Sequence, residues 1–364
     1  MTYPDNQTAI IQSREPPRDS GLPFIVTHDR PLPQLSEPFE VLVRVLTVAL
    51  NPADYLFQKH DYIEGNGVGY EFCGIVQEAG SQSIHAVGTR VTGSGNLPYC
   101  QVNRVTGAFA EYMVANSRFI LGVPDSMGSV QAAALSASWW APVLAMSDPD
   151  ALNLPALPSK PSEQPNIVLV YGGGTSSGVM AIQVLKLSGY APLVVCSDKS
   201  ASRAIRLGAV GTVSYTSPTC SENIKKLAGG RSIKYALDCI TSAESFATCM
   251  DCLDRVGSRY ACLEPFPDCW ITRRAVKYKV VMCYGVQGYD IEMRDPAWSR
   301  KYSPLLSEIL ARWTREMQNL LDCEKIVTKP TWEIPGRFEG IITALELMKD
   351  GELDKYRVVV TISP

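Results

Sequence analysis

Apolar positions along the first 140 or so residues come in short β-branched runs cut by glycine and proline. Val41-Leu42-Val43-Arg44-Val45-Leu46-Thr47-Val48-Ala49-Leu50 is the longest and stops at Asn51-Pro52. Shorter runs follow through Gly69-Tyr70-Glu71-Phe72-Cys73-Gly74, residues 86–91 and residues 107–114. Strands this short, punctuated this often, predict a compact β barrel. Residues 129–146 read as helix, and the Pro-, Ser- and Leu-rich stretch 148–165 reads as a surface loop. From Ile167 the rhythm changes to strand and helix in alternation. Strands are expected at 167–171, 193–197, 212–215, 235–239, 258–263 and 280–286, and helices at about 178–189, 199–207, 221–228, 243–254 and 267–276. Such alternation predicts a doubly wound parallel sheet, so the fold class is α/β. After Gly288 the rhythm stops. Residues 304–321 and 338–349 are helical in pattern and 356–360 form a closing strand, a tail with no sheet of its own that is expected to return to the first domain. The expected boundaries are 1–140, 141–288 and 289–364.

Composition narrows the functional classes. A formal net charge of -3 and the lack of a basic block speak against nucleic acid and anionic membranes as partners. No apolar run is long enough to span a bilayer, and the polar stretch Met1 to Arg14 lacks a signal core. The 11 cysteines are odd in number and scattered, which suits reduced thiols in the cytoplasm. Cys249 and Cys252 form a C-x-x-C without a second pair at metal spacing, which reads as coincidence. Histidine occurs only at 28, 60 and 85, leaving most of the chain without an imidazole.

The chemistry concentrates after the first strand of the alternating region. Ile167-Val168-Leu169-Val170-Tyr171 runs into Gly172-Gly173-Gly174-Thr175-Ser176-Ser177-Gly178 and then into a helical pattern. Strand, glycine turn and helix bring close backbone, free N–H groups and a positive dipole end to one place, which suits a pyrophosphate. An ordinary turn that needs glycine for space is the alternative. The next strand ends at Ser197, followed by Asp198, Lys199 and, one turn on, Arg203. A site for NAD would carry a carboxylate for the ribose 2′-hydroxyl. A hydroxyl at Ser197 with a cation at Lys199 favours the 2′-phosphate of NADP(H), although Ser197 and Asp198 also make sense as helix caps.

Taken in order, Asn51-Pro52-Ala53-Asp54, Gly69-Tyr70-Glu71-Phe72-Cys73-Gly74, Tyr171-Gly172-Gly173-Gly174 and Leu207-Gly208-Ala209 resemble the medium-chain dehydrogenase/reductase superfamily. Leu187-Ser188-Gly189-Tyr190, residues 235–241, Pro265-Phe266-Pro267 and Gly351-Glu352-Leu353 narrow the resemblance to the fungal trans-acting enoyl reductases of polyketide synthases. The resemblance implies a GroES-like catalytic domain beside a Rossmann domain, with the cleft between them. It further implies NADPH-dependent reduction of an α,β-unsaturated acyl thioester held on the acyl carrier protein of the synthase, by a chain that works as a monomer, whereas many superfamily members pair through the Rossmann sheet edge. Many superfamily members hold a catalytic zinc. Here Tyr70 replaces the Gly-His-Glu histidine, Asn51-Pro52-Ala53-Asp54 stands where the first cysteine would be, and of the structural lobe only Cys100 is nearby, so no metal is expected.

Residue by residue, the resemblance puts Thr175, Ser176, Ser177 and Gly178 at the pyrophosphate, Ser197 and Lys199 at the 2′-phosphate, and Tyr215 near the adenosine. Leu263, Tyr284, Gly285 and Val286, at later strand ends, would frame the nicotinamide. Tyr215 can equally be a surface aromatic, and Leu263 and Val286 plain strand-end core. Asp54 either positions the cofactor or caps the helix after Pro52. Lovastatin-type enzymes carry a lysine four residues after this proline. Leu56 stands there, so either Lys59 substitutes or the contact is lost.

Enoyl reduction builds negative charge on the thioester carbonyl oxygen and then needs a proton at the α-carbon. Tyr62, which stands where the similar mitochondrial enoyl thioester reductases carry a tyrosine, is the candidate donor that this resemblance implies, a neutral phenol with an ordinary pKa near 10. The alternatives for this role are His60 and water, and for Tyr62 itself a packed loop position. Of Trp139 and Trp140, about 100° apart on a helix, one suits an acyl pocket and the other the core. Two further functions fit the same fold: a free-standing quinone or alkenal reductase, and a silent cofactor-binding partner of a synthase.

Overall fold

A computed structural model describes residues 3–15, 21–95, 105–353 and 355–363. The chain divides into two compact units. The first comprises Met1–Ala137, Gln287–Tyr302 and Met317–Pro364, and the second Ser138–Val286 and Ser303–Glu316. Residues 303–316, expected within the tail, thus cluster with the second unit.

The first unit begins with a two-stranded antiparallel ribbon, β1 (Asn6–Gln12) and β2 (Phe24–Pro31). The near-continuous apolar run at 41–50 becomes β3 (Glu40–Ala49), ended by Asn51 and helix α1 (Pro52–Leu56). Strands β4 (Glu71–Ala79), β5 (Arg90–Ser94), β6 (Tyr112–Asn116) and β7 (Leu121–Gly122) follow, then α2 (Ser129–Leu135). β3 pairs with β4 along its length, with register shifts after Leu42 and Val45 that bend and twist both strands.

The second unit opens with α3 (Trp140–Ser147). One helix was expected across 129–146. It is split at Ser136, whose φ of 29° turns the chain while its buried hydroxyl donates to the Gly93 carbonyl at 2.5 Å. Trp139 and Trp140 are both buried and meet edge to face at 6.2 Å, so both serve the core.

Then come β8 (Ile167–Tyr171), α4 (Ser176–Leu187), β9 (Ala191–Cys196), α5 (Asp198–Arg206), β10 (Gly211–Ser214), α6 (Cys220–Ala228), β11 (Ile233–Asp238), α7 (Ala243–Cys252), β12 (Arg259–Cys262) and β13 (Lys277–Val280). All six strands are parallel, in the order β10-β9-β8-β11-β12-β13. β8 is buried at every position, as a strand covered on both faces must be. Ile167, Leu169 and Tyr171 join the core formed with α6 and α7, and the alternate residues Val168 and Val170 point the other way.

Two expected elements differ. The helix at 267–276 is a short 3₁₀ turn, Asp268–Trp270, followed by irregular chain that Arg273 ties to the Leu253 carbonyl at 2.9 Å. The strand at 280–286 ends at Val280, and Cys283–Val286 is a 3₁₀ turn.

The remaining elements are α8 (Pro304–Asp322), β14 (Thr331–Glu333), α9 (Arg337–Lys349) and β15 (Arg357–Thr361). β15 pairs antiparallel with β3 at Val359 opposite Ala49, on the same edge where β6 pairs with residues 40–44. The sheet of the first unit therefore runs β14-β15-β3-β4-β5-β7 among the described residues. Phe338, Ile341, Ala344 and Leu345 of α9 complete its core.

Candidate active site

In the second unit the strand order reverses between β8 and β11, so their carboxyl ends form the switch point where a dinucleotide binds in such sheets. The turn after β8 is built by contact. Gly172 holds φ at 86°, a conformation that favours glycine. A Cβ on Gly173 would lie 2.2 Å from Val194 Cγ1, and one on Gly178 would lie 2.2 Å from the Gly172 carbonyl oxygen. Thr175 caps α4: its Oγ1 accepts from Gly178 N at 3.0 Å and donates to the Gly172 carbonyl at 2.9 Å. The amides of Ser176 and Ser177 remain in the first turn, where a helix offers no carbonyl partner. Close backbone, open N–H groups and the dipole end fit a pyrophosphate.

Ser197 follows β9 in extended conformation and is the N-cap residue of α5. Its hydroxyl donates to Ser200 Oγ at 3.1 Å instead of capping the helix. Ser200 lies against Gly174, where a Cβ would come 2.8 Å from its Oγ. Lys199 is exposed on the first turn of α5, and Arg203 is half-buried one turn on. Tyr215, directly after β10, is 54 % exposed, and its amide donates to the Cys196 carbonyl at 3.3 Å. Thr175 to Gly178, Ser197, Lys199 and Tyr215 thus follow the adjacent strands β8, β9 and β10.

Leu263 follows β12, half-buried, and donates its amide to Thr241 Oγ1 at 3.4 Å. Tyr284, Gly285 and Val286 are not at a strand end as expected. They form the 3₁₀ turn after β13, and all three are buried. The Gly285 carbonyl accepts from Ser303 N at 2.9 Å, which fixes the turn to the start of α8.

Asp54 and Tyr62 belong to the first unit. Asp54 makes a capping box with Asn51: its Oδ2 accepts from Asn51 N at 2.6 Å. Its Oδ1 is buried without a hydrogen-bond partner among the described residues. Burial, with Glu71 nearby, drives the Asp54 carboxyl well above the usual carboxylate range, against the Asn51 amide and Arg357. Leu56 is half-buried, and Lys59 ends the next 3₁₀ turn, exposed. Tyr62 lies in the loop beyond and donates its hydroxyl to Glu64. Burial and the Glu64 carboxylate push its pKa up to about 12. His60 stacks on Trp298 at 4.4 Å and faces Asp295 at 3.3 Å.

The residues expected to replace a metal site form a network that the sequence reading missed. Arg357, buried on β15, donates to Glu71 Oε2, to Asn51 Oδ1 at 2.7 Å and to the Leu50 carbonyl at 2.8 Å. Asn51 Nδ2 donates to the other Glu71 oxygen at 3.1 Å. Among the described residues no cluster of His, Cys, Asp and Glu is placed to hold a metal ion, and Cys100 lies outside them. Among them, too, no helix is long and apolar enough to cross a membrane. The available signal was Arg357 itself, a lone charge in an otherwise apolar strand.

Comparison with known proteins gives this geometry its context. The alcohol dehydrogenase GroES-like domain family matches residues 37–125, and the zinc-binding dehydrogenase family matches 178–261. The trans-enoyl reductase sthE of Phaeosphaeria nodorum is 50 % identical over 364 residues, covering 100 % of this chain and 99 % of its own. The trans-enoyl reductase calK of Penicillium decumbens is 41 % identical over 98 % of both chains. A mycobacterial protein solved in complex with NADPH shares the fold, with a TM-score of 0.71 at 18 % identity over 98 % of this chain and 100 % of that one. The glycine turn at the switch point suits a nicotinamide dinucleotide, and, with half its residues shared along a full-length relative, the chain belongs to the trans-enoyl reductases of the medium-chain dehydrogenase/reductase superfamily.

Proposed function

We propose that this chain is an NADPH-dependent enoyl reductase acting in trans on the α,β-unsaturated acyl thioester carried by a polyketide synthase, without a metal. The observation that carries the reading is full-length kinship with trans-enoyl reductases, and the glycine turn after β8 with Ser197 and Lys199 after β9 supports it.

The cofactor, when bound, supplies the hydride. The chain's own residues do the rest. Gly172 to Gly174 admit the pyrophosphate backbone, and the amides of Ser176 and Ser177 hold it. Ser197 and Lys199 take the 2′-phosphate, with Tyr215 beside the adenosine. Leu263 and the Tyr284–Val286 turn bound the nicotinamide end. Asp54 caps the turn after β3. Tyr62 turns its hydroxyl from Glu64 to the thioester carbonyl oxygen as negative charge grows there. A phenol held near 12 stays protonated at neutral pH, as a donor must.

The direct test is stopped-flow NADPH consumption with an enoyl-pantetheine thioester. Turnover of the thioester but not of quinones is expected, and the reverse pattern would make the chain a free-standing quinone reductase. Lys199→Ala is expected to weaken NADPH about ten-fold, the modest size set by the solvent around this exposed lysine. NADH should be almost unaffected. Equal losses for both coenzymes, measured by titration, would remove Lys199 from the 2′-phosphate. Tyr62→Phe is expected to lower turnover about ten-fold or more with little change in NADPH affinity. Unchanged turnover would return Tyr62 to a packing role.

A further inference from the structure

Asp238, the last residue of β11, is fully buried, and among the described residues no cation pairs with it. Four donors satisfy it instead. Oδ1 accepts from the amides of Ile240 at 2.9 Å and Thr241 at 3.0 Å. Oδ2 accepts from Ser245 Oγ at 2.5 Å and Tyr260 OH at 2.8 Å. A buried carboxylate without a countercharge is expensive unless hydrogen bonds satisfy it, as these four donors do. Its value here lies in the shape it imposes.

Turning two successive amides onto one oxygen puts Thr241 at φ 61°, a strained conformation for a β-branched residue. The loop so formed is clamped on both sides. Cys239 donates its amide to the Tyr171 carbonyl at 2.9 Å, and Ile240 fills the space beside Gly172, where a Cβ would lie 2.8 Å from its Cγ1. On the far side Thr241 Oγ1 accepts the Leu263 amide. The ends of β8, β11 and β12 are thereby fixed to one another. Ile240 nonetheless remains 42 % exposed. A large apolar side chain is thus presented at the carboxyl ends of the central strands by a strained loop.

Topology says what it meets. Ser197 and Tyr215, assigned to the adenosine half, follow β9 and β10 on one side of β8, whereas 239–241 follows β11 on the other. A dinucleotide crossing the end of β8 carries its second half over this loop. Resting on the nicotinamide-dependent reading above, we propose that Asp238 is a positioning residue for the nicotinamide half of the cofactor. It acts through residues 239–241 and presents Ile240 as the contact.

The experiment compares two ligands by calorimetric titration: NADPH, and 2′,5′-ADP, which lacks the nicotinamide half. Asp238→Leu removes the acceptor of both loop amides, while Asp238→Asn keeps an oxygen for them and lets the Ser245 and Tyr260 hydroxyls turn to accept. Asp238→Leu should bind 2′,5′-ADP within about two-fold of the parent but NADPH about ten-fold more weakly, and Asp238→Asn should restore most of the loss. Parallel weakening of both ligands, or of neither, overturns the proposal. If Asp238→Leu does not fold, Ile240→Ala, which shortens the proposed contact and leaves both loop amides on Asp238, should weaken NADPH about three-fold and spare 2′,5′-ADP. An unchanged NADPH affinity in that variant is also fatal. NADH and ADP serve as the pair if the parent chain prefers the unphosphorylated coenzyme. A parent that binds no nicotinamide coenzyme refutes the functional reading instead, so the two failures are distinct.

Discussion

Gly178→Ala is expected to lose coenzyme binding by well over about ten-fold and to unfold more easily by about 1–3 kcal/mol, the usual cost of overpacking. The added methyl would stand 2.2 Å from the Gly172 carbonyl oxygen and 2.8 Å from the Gly173 Cα. Both atoms are backbone, so no rotamer change relieves the clash. Either α4 lifts away from β8 or the glycine turn opens. Val179, Met180, Ala181, Ile182, Val184 and Leu185 bury α4 along its length, so the turn gives way. Helix propensity works in the other direction, since alanine favours a helix over glycine by about 1 kcal/mol. The steric term is larger because the helix cannot move without uncovering its core. Gly174→Ala is the internal control for stability alone: its methyl meets only the Ser200 side chain, whose Oγ can rotate away. Urea unfolding and coenzyme titration of both variants check the claim. Parent-like values for Gly178→Ala would mean that helix and turn are not in this contact.

The second large effect concerns stability alone. Arg357→Met should cost about 3–5 kcal/mol, the range for stranding one member of a buried ion pair. Arg357 and Glu71 have side chains only 4 % and 8 % exposed. Removing the guanidinium leaves the Glu71 carboxylate, among the described residues, with only the Asn51 side chain and the Ala137 amide as donors. It also strips a donor from the carbonyls of Leu50 and Ala134. Adding Glu71→Gln to Arg357→Met should recover a substantial part, because the stranded charge is then gone. Arg357→Lys should recover little, since one ammonium cannot reproduce a fork reaching four acceptors. Urea unfolding of the four chains measures this, and a loss below about 1 kcal/mol in Arg357→Met would mean that water reaches Glu71.

How much of this was legible beforehand follows from what local pattern can carry. β8 and β9 were readable because strands buried on both faces are continuous apolar runs, and glycine and serine mark their ends. β13 was misplaced because its sequence, Lys277-Tyr278-Lys279-Val280, alternates charge along an edge, while the apolar run after it looks more like a strand. The break at Ser136 depends on the Gly93 carbonyl, 43 residues away, which no local window contains. The glycine turn is local and was visible, whereas the capping role of Thr175 emerged only with the structure. The Arg357–Glu71 network and the four donors around Asp238 are assembled from distant segments, and an aspartate at a strand end reads only as the start of a loop. Tyr284 to Val286 were expected at a strand end and lie in a 3₁₀ turn, because family likeness transfers position more readily than backbone geometry.

The pairing of β15 with β3 also orders events on the ribosome. All six strands of the parallel sheet have been translated once Val280 is made, so that sheet can form during synthesis. β3 is made among the first strands, yet the part of its edge at Thr47 to Ala49 has no partner until Val359 to Thr361 leave the exit tunnel. This sheet is begun before the parallel one and closed after it, and until β15 arrives it presents an open strand edge, a template for pairing with another chain.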